Sequence, residues 1–178
     1  MIRLFAAIAI PGDIAAGLAP RRSGLAGARW RPAESLHITL RFFGGVREDQ
    51  ADDLDSELAA VGGAPFDLNL EGVGAFGEGA DVRAVWAGVA GSNPLTQLAR
   101  RCESAARRAS LPREIRAYHP HVTLAYLRGA DPARVGAWVQ SHNLLKSPDF
   151  PVRRFGLYSS WPGGDGQVYR LERAYSLV

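Results

Sequence analysis

The sequence predicts an α+β fold, antiparallel β-sheets with helices packed outside, and three observations carry that prediction. Strand-like and helix-like segments follow one another without the regular alternation of a parallel sheet, and the chain closes on two strands around a tight turn. The order strand, helix, strand recurs on both sides of residue ~80, as a duplicated pattern would. A tetrapeptide is also written twice, His37-Ile38-Thr39-Leu40 and His121-Val122-Thr123-Leu124, 84 positions apart and each inside a strand-like run.

Taken in order, residues 2–10 read as a first buried strand that Pro11-Gly12 ends, and 11–18 as a short helix with proline at its start. Residues 28–30 form a brief strand before the Pro32 turn. Residues 36–43 form a strand closed by Gly44-Gly45, and the helix at 48–61 opens on acidic residues, as the helix dipole favours, and stops at Gly62-Gly63. Residues 66–73 and 82–89 alternate apolar and polar side chains around a glycine-rich loop at 74–79, which predicts a hairpin-like pair. Asn93-Pro94 starts a helix to about 109 that carries Arg100, Arg101, Arg107 and Arg108, read as a solvated face. A second motif strand spans 118–127, Asp131-Pro132 caps a helix to about 142, and strands at 152–159 and 168–176 flank a turn at 161–166. There is neither a P-loop nor a dinucleotide-binding fingerprint, because Gly72-Val73-Gly74 lacks the third glycine and the following helix.

At 178 residues, 47% hydrophobic and 22% charged, the chain fits one globular domain over residues 1–178, or two small fused lobes, rather than a disordered segment. The opening apolar run has one positive charge and no small-residue cleavage pattern, so it reads as a strand and not as a targeting segment. No stretch approaches the ~20 apolar residues of a membrane span, so no membrane partner is expected. A single cysteine, Cys102, excludes an internal disulfide and points to a cytoplasmic protein; it reads as a small helix residue, not a nucleophile. The net charge of +3 comes from 20 Arg and one Lys against 18 acids. That balance mildly favours an anionic substrate.

The chain holds four histidines and three threonines. Two histidines each followed by threonine at +2 would arise by chance at a frequency on the order of two in a thousand. On a strand, alternate residues share a face, so His37, Thr39 and Arg41 are predicted to project together while Ile38, Leu40 and Phe42 pack inward; His121 and Thr123 repeat the arrangement. Two such strands side by side line a cleft with two imidazoles and two hydroxyls. Opening a phosphodiester requires a base for the attacking oxygen and an acid for the leaving oxygen, and two imidazoles with ordinary pKa values of ~6.5 supply both near neutrality. The threonine hydroxyls would donate to the non-bridging oxygens, with Arg41 reinforcing them. This scheme needs no metal and no cofactor. A zinc site of His37, His121 and His119 is disfavoured, since no Asp, Glu or Cys sits at ligand spacing. His119 and His142 read as surface or strand-end residues.

Arg29-Trp30 through Ser35-Leu36-His37-Ile38-Thr39-Leu40-Arg41-Phe42-Phe43-Gly44, and Arg116-Ala117-Tyr118-His119-Pro120-His121-Val122-Thr123-Leu124-Ala125, resemble the two signatures of the two-histidine (2H) phosphoesterase superfamily. The resemblance is specifically to the bacterial and archaeal RNA 2′,3′-cyclic phosphodiesterases, also called 2′-5′ RNA ligases. It extends to Arg3-Leu4-Phe5-Ala6-Ala7-Ile8 and Leu157-Tyr158-Ser159-Ser160. It implies a bilobal, pseudo-twofold arrangement with a central cleft, in which a 2′,3′-cyclic phosphate at an RNA end is opened to a 2′-phosphomonoester, with reversible 2′-5′ RNA ligation as a second activity. It also implies His37 as proton donor and His121 as proton acceptor, although a pseudo-symmetric cleft admits the reverse. There are departures. The family usually has Leu-Gly-Glu where this chain has Phe43-Gly44-Gly45, Phe where it has Tyr118, and in many members Arg where it has Tyr126. Arg116 matches, and is a candidate to compensate for that missing arginine at the phosphate. The expected partner is RNA with a cyclic phosphate terminus, or a small cyclic nucleotide such as an ADP-ribose cyclic phosphate, acted on by a monomer. A non-catalytic nucleotide-binding module is the remaining alternative. Phe43 and Trp161 are candidate platforms for a stacked base.

Overall fold

The structure, a computed structural model, describes all residues 1–178. Its frame is a sheet of eight strands, all paired antiparallel: β1 (Ile2–Ala9), β2 (Ala28–Trp30), β3 (His37–Val46), β5 (Leu70–Phe76), β6 (Ala84–Val89), β7 (His121–Leu127), β9 (Arg154–Gly163) and β10 (Gly166–Ser176). The strands run in the order β10-β9-β1-β3-β7-β6-β5, with β2 added against β7. β4 (Phe66–Leu68) and β8 (Phe150–Val152) form a separate pair. Four helices complete the chain: α1 (Gly12–Gly17), α2 (Glu48–Ala59), α3 (Asn93–Arg108) and α4 (Pro132–His142).

The two lobes are thus halves of one sheet, and they meet at a single residue pair, Ile38 opposite Val122, the middle residues of the two motifs. Both side chains are fully buried in the core. β1 is apolar on both faces, as a central strand should be. Its Leu4, Ala6 and Ile8 join the main core, while Phe5 and Ala7 face the other side of the sheet, toward the cleft. α2 and α3 cover the core side, contributing Leu54 and Leu58, and Leu95, Leu98, Cys102 and Ala106. Ser92 caps α3, its hydroxyl accepting from the Leu95 N–H at 3.3 Å, and Asp131 caps α4 through Ala133 at 2.9 Å. Cys102 is fully buried and its thiol is pushed up to about 12 by desolvation, which makes it inert.

Three elements differ from expectation. The single strand expected at 66–73 is split between two sheets, β4 and β5, and β5 runs on through Gly74. A side chain at Gly74 would lie 2.3 Å from the Trp86 ring, so the glycine is what lets that indole lie across the strand rather than a loop signal. The second motif strand begins at His121 and not at 118, and the short strand β8 was hidden by Pro151. The solvated reading of α3 holds in part: Arg108 pairs with Glu57 of α2, and Arg101 donates to the Gly62 carbonyl. No helix is long and apolar enough to cross a membrane.

Candidate active site

The pair Ile38–Val122 faces the core, so the residues on either side of it, His37, Thr39, His121 and Thr123, face the opposite surface of the sheet. In an antiparallel ladder this register sets His37 across from Thr123 and Thr39 across from His121. The two imidazoles then lie on one diagonal, with Cβ atoms about 7–8 Å apart or more where the strands splay, and the two hydroxyls on the other. The register therefore places these four side chains on one face of the sheet, around a buried Ile–Val contact.

Each histidine is oriented in the same way. His37 Nδ1 lies 2.7 Å from the Ser35 carbonyl and His121 Nδ1 lies 2.6 Å from the His119 carbonyl. A carbonyl only accepts, so in the neutral ring Nδ1 carries the proton and Nε2 is left as the acceptor nitrogen. Burial pushes the His37 pKa down to about 4, against the pull of the Ser35 carbonyl, with Arg31 and His121 adding repulsion. His121 is lowered as well, chiefly by burial and also by His119. Both rings are thus mainly neutral at pH 7 before an anion arrives.

Aromatic walls hold the two imidazoles. His37 packs on Phe5 with centroids 5.0 Å apart and meets the Tyr169 ring edge-on at 5.1 Å, and Phe5 stacks on Tyr158. His121 meets Phe76 edge-on at 4.7 Å, and Trp86 and His119 close that side, 4.9 Å from each other. His119 is thus a wall of the site, not an ordinary strand-end residue, and the sequence signal for it was the alternation His119, His121, Thr123. Tyr118, where resembling sequences have Phe, donates its hydroxyl to the Thr39 carbonyl at 3.1 Å and so ties the approach to β7 across the one-pair seam.

Arg41 does not join the cleft. Thr39 pairs with Ala7 and Arg41 with Ala6, so two residues of β3 advance while β1 advances one. This bulge at Leu40 reverses the alternation and turns Arg41 to the core side with Ala6. There the guanidinium, 9% exposed, pairs with Glu103 of α3 and donates to the Phe42 carbonyl and, at 2.6 Å, to that of Pro112. Arg116 is 77% exposed on the segment before β7 and forks onto Glu114 with two contacts of 3.1 Å. Glu114, held down to about 2 chiefly by that fork, also lies 3.8 Å from Arg41. Both arginines expected at phosphate are therefore committed to carboxylates. Of the candidate stacking platforms, Phe43 is buried beneath the Arg41 guanidinium, whereas Trp161 is half exposed, its indole N–H donating to Ser159 Oγ at 2.7 Å.

No three His, Cys, Asp or Glu side chains gather closely enough to share a metal ion. The two histidines of the seam are instead each bordered by aromatic rings, Phe5 and Tyr169 beside His37 and Phe76 and Trp86 beside His121.

A seam of two His-x-Thr strands at the centre of an antiparallel sheet is the architecture of a two-histidine phosphoesterase, and a family model confirms the class. Residues 10–161 match the 2′-5′ RNA ligase superfamily, and the chain belongs to that family. Among its relatives, the RNA 2′,3′-cyclic phosphodiesterase of Archaeoglobus fulgidus is 29% identical over 98% of this chain and 99% of its own. That of Aquifex aeolicus is 26% identical over 84% and 81%. Among solved structures, E. coli LigT complexed with 3′-AMP superposes with a TM-score of 0.80 at 26% identity, covering 99% of this chain and 98% of that one.

Proposed function

We propose that this chain opens the 2′,3′-cyclic phosphate at an RNA end to a 2′-phosphomonoester by acid–base catalysis between His37 and His121, without a metal or cofactor. The observation that carries the reading is that two imidazoles, each with Nδ1 held by a backbone carbonyl so that Nε2 is left free, stand at the two ends of one diagonal of the seam. The names of the relatives point the same way, since the A. fulgidus and A. aeolicus proteins are RNA 2′,3′-cyclic phosphodiesterases.

In the reaction, the base takes a proton from water as its oxygen bonds to phosphorus, and the acid gives a proton to O3′ as the P–O3′ bond breaks. The products are a 2′-phosphate and a free 3′-hydroxyl, and the pair ends with its protons exchanged. Each positioned transfer is worth about 10²–10⁴ in rate. Thr39 and Thr123 donate to the non-bridging oxygens. Charge held there in the transition state is where a preorganised donor has most effect. With a 5′-terminal hydroxyl in place of water as the nucleophile, the same displacement of O3′ would join ends through a 2′-5′ bond, and its reversal, with the 3′-hydroxyl attacking and the 5′-hydroxyl leaving, would part them again.

The resemblance assigns His37 as donor and His121 as acceptor. The pseudo-symmetric seam admits the reverse, and in the substrate-free protein His37, pushed down to about 4 by burial, rests in the unprotonated form. A diester with an aryl leaving group separates the two, because such a group departs without an acid. Replacing the donor then costs little on the aryl substrate, whereas replacing the base stays costly on both.

The activity is tested by incubating the protein with an oligonucleotide ending in a 2′,3′-cyclic phosphate, in EDTA, and identifying the product. A 2′-phosphate supports the reading; a 3′-phosphate or no turnover overturns it. Turnover of mononucleotide against oligonucleotide cyclic phosphates decides between RNA ends and small cyclic nucleotides as the substrate class. Binding without turnover of either would mark a nucleotide-binding module.

A further inference from the structure

The bulge that removes Arg41 from the cleft has a counterpart on the other motif strand. Against β6, Thr123 pairs with Trp86 and Ala125 with Val85, so β7 also advances two residues for one, at Leu124. In both strands the fourth residue after the histidine (Arg41, Ala125) therefore turns to the core, and the fifth (Phe42, Tyr126) turns to the cleft. Neither fifth residue is charged. The motif strands bring two neutral imidazoles and two hydroxyls to the cleft and no cation, which leaves an anionic phosphate without a counter-charge.

We infer that Arg31 supplies that charge and is the phosphate-binding cation of this chain, an assignment that rests on the phosphodiesterase reading for its substrate. Arg31 follows β2, and its backbone N–H donates at 2.8 Å to the carbonyl of Leu124, the bulged residue of β7. Its guanidinium lies over two cleft rings, 5.1 Å from the centroid of Tyr169 and 5.8 Å from that of Tyr126. The same Tyr169 ring meets His37 edge-on, so one side chain joins the guanidinium to the imidazole. Nη2 donates to the Gln167 carbonyl at 2.9 Å, which fixes the plane of the group.

What marks Arg31 is that it is buried and has no acid. The residue is 7% exposed, yet no carboxylate lies within ion-pairing distance of it, whereas the similarly buried Arg41 has Glu103. A guanidinium buried without a counter-ion is costly, and stacking on two tyrosines offsets only part of that cost. Arg29 increases the local charge. A point one Cβ bond above Gly166 lies 3.3 Å from Arg31 Nη1 and 3.4 Å from Arg29 Nη2, and Arg29 is likewise unpaired. The planar fork of Arg31 has free N–H groups on a rigid mount beside His37, the geometry that binds two phosphate oxygens at once. Tyr126, lying under the guanidinium, occupies the cleft position from which a motif-strand arginine would reach the same place.

The test compares wild type with Arg31→Met, Arg31→Lys and the double variant Arg31→Met/Tyr126→Arg. Two quantities are read: affinity for inorganic phosphate by calorimetry, which needs no turnover, and kcat and KM on a cyclic-phosphate oligonucleotide. We expect Arg31→Met to weaken phosphate binding and raise KM by about tenfold or more, the scale of a lost charge-assisted fork. Arg31→Lys should recover part of the loss, and Tyr126→Arg most of it. Phosphate affinity and KM unchanged in a folded Arg31→Met protein would overturn the assignment while leaving the phosphodiesterase reading intact. If wild type binds phosphate through Arg31 but opens no cyclic phosphate, the activity reading fails and the anion site stands. Should Arg31→Met not fold, phosphate titrated into wild type must shift the Arg31 Nε–Hε NMR resonance, and an unmoved resonance overturns the assignment.

Discussion

At the scale of the residue, the proposed chemistry rests on two imidazoles whose environment keeps them neutral. His37 is pushed down to about 4 and His121 also lies below its ordinary value, in each case mainly by burial. In the proposed mechanism the pair holds one proton, and in the free protein that form is populated from about pH 4 up to the lowered His121 value. kcat/KM, which reads the free protein, should therefore peak below pH 6.5 and fall as the pH rises through the His121 value. An anionic substrate favours the charged rings, so kcat should peak at higher pH than kcat/KM. pH–rate profiles check this, and a kcat/KM maximum above pH 7.5 would contradict it. The histidines and threonines were legible because identity and alternation alone mark them. Arg31 was not, since it lies outside both His-x-Thr tetrapeptides and only long-range packing brings it beside Tyr126 of β7 and Tyr169 of β10.

At the scale of the element, the two motif strands show what alternation can and cannot carry. Over His37, Ile38 and Thr39, period two is obeyed; one residue later a bulge breaks it, and the apolar run Leu40, Phe42, Phe43 gives no sign of the break. Arg41 was therefore read as a phosphate ligand when it is a structural ion pair with Glu103. The distinction is measurable. Arg41→Met, which leaves Glu103 and the Pro112 carbonyl without their partner, should cost about 2–4 kcal/mol of stability, somewhat below a fully buried pair because Glu103 is 26% exposed. Activity of the folded fraction should be little changed. Denaturant unfolding together with steady-state kinetics reads both; a stable protein with a tenfold higher KM would return Arg41 to the cleft.

At the scale of the whole molecule, the proposed active site is the place where two half-sheets touch. One buried pair, Ile38 and Val122, sets the register that spaces the imidazoles, and Tyr118 reinforces it from the Thr39 carbonyl. Ile38→Ala should cost about 2–5 kcal/mol as a core truncation. Because it also loosens the diagonal, it should lower kcat in protein that remains folded, whereas a truncation of Leu58 on α2, fully buried but remote from the seam, should lower stability alone. Thermal unfolding and kinetics on the two variants distinguish a seam that positions chemistry from one that only holds lobes together. The duplicated pattern made the pseudo-symmetry legible from sequence. That the halves form one sheet joined at a single residue pair was not, since nothing local distinguishes two packed sheets from one.

The doubled His-x-Thr as a single acid–base unit is the central claim, and rate constants for His37→Ala, His121→Ala and the double variant on a cyclic-phosphate oligonucleotide test it most directly. The account predicts that each single variant loses about 10²–10⁴ in kcat and that the double variant is hardly worse than either, because half a relay transfers no proton. A single variant within tenfold of wild type, or losses that simply multiply in the double, would contradict it.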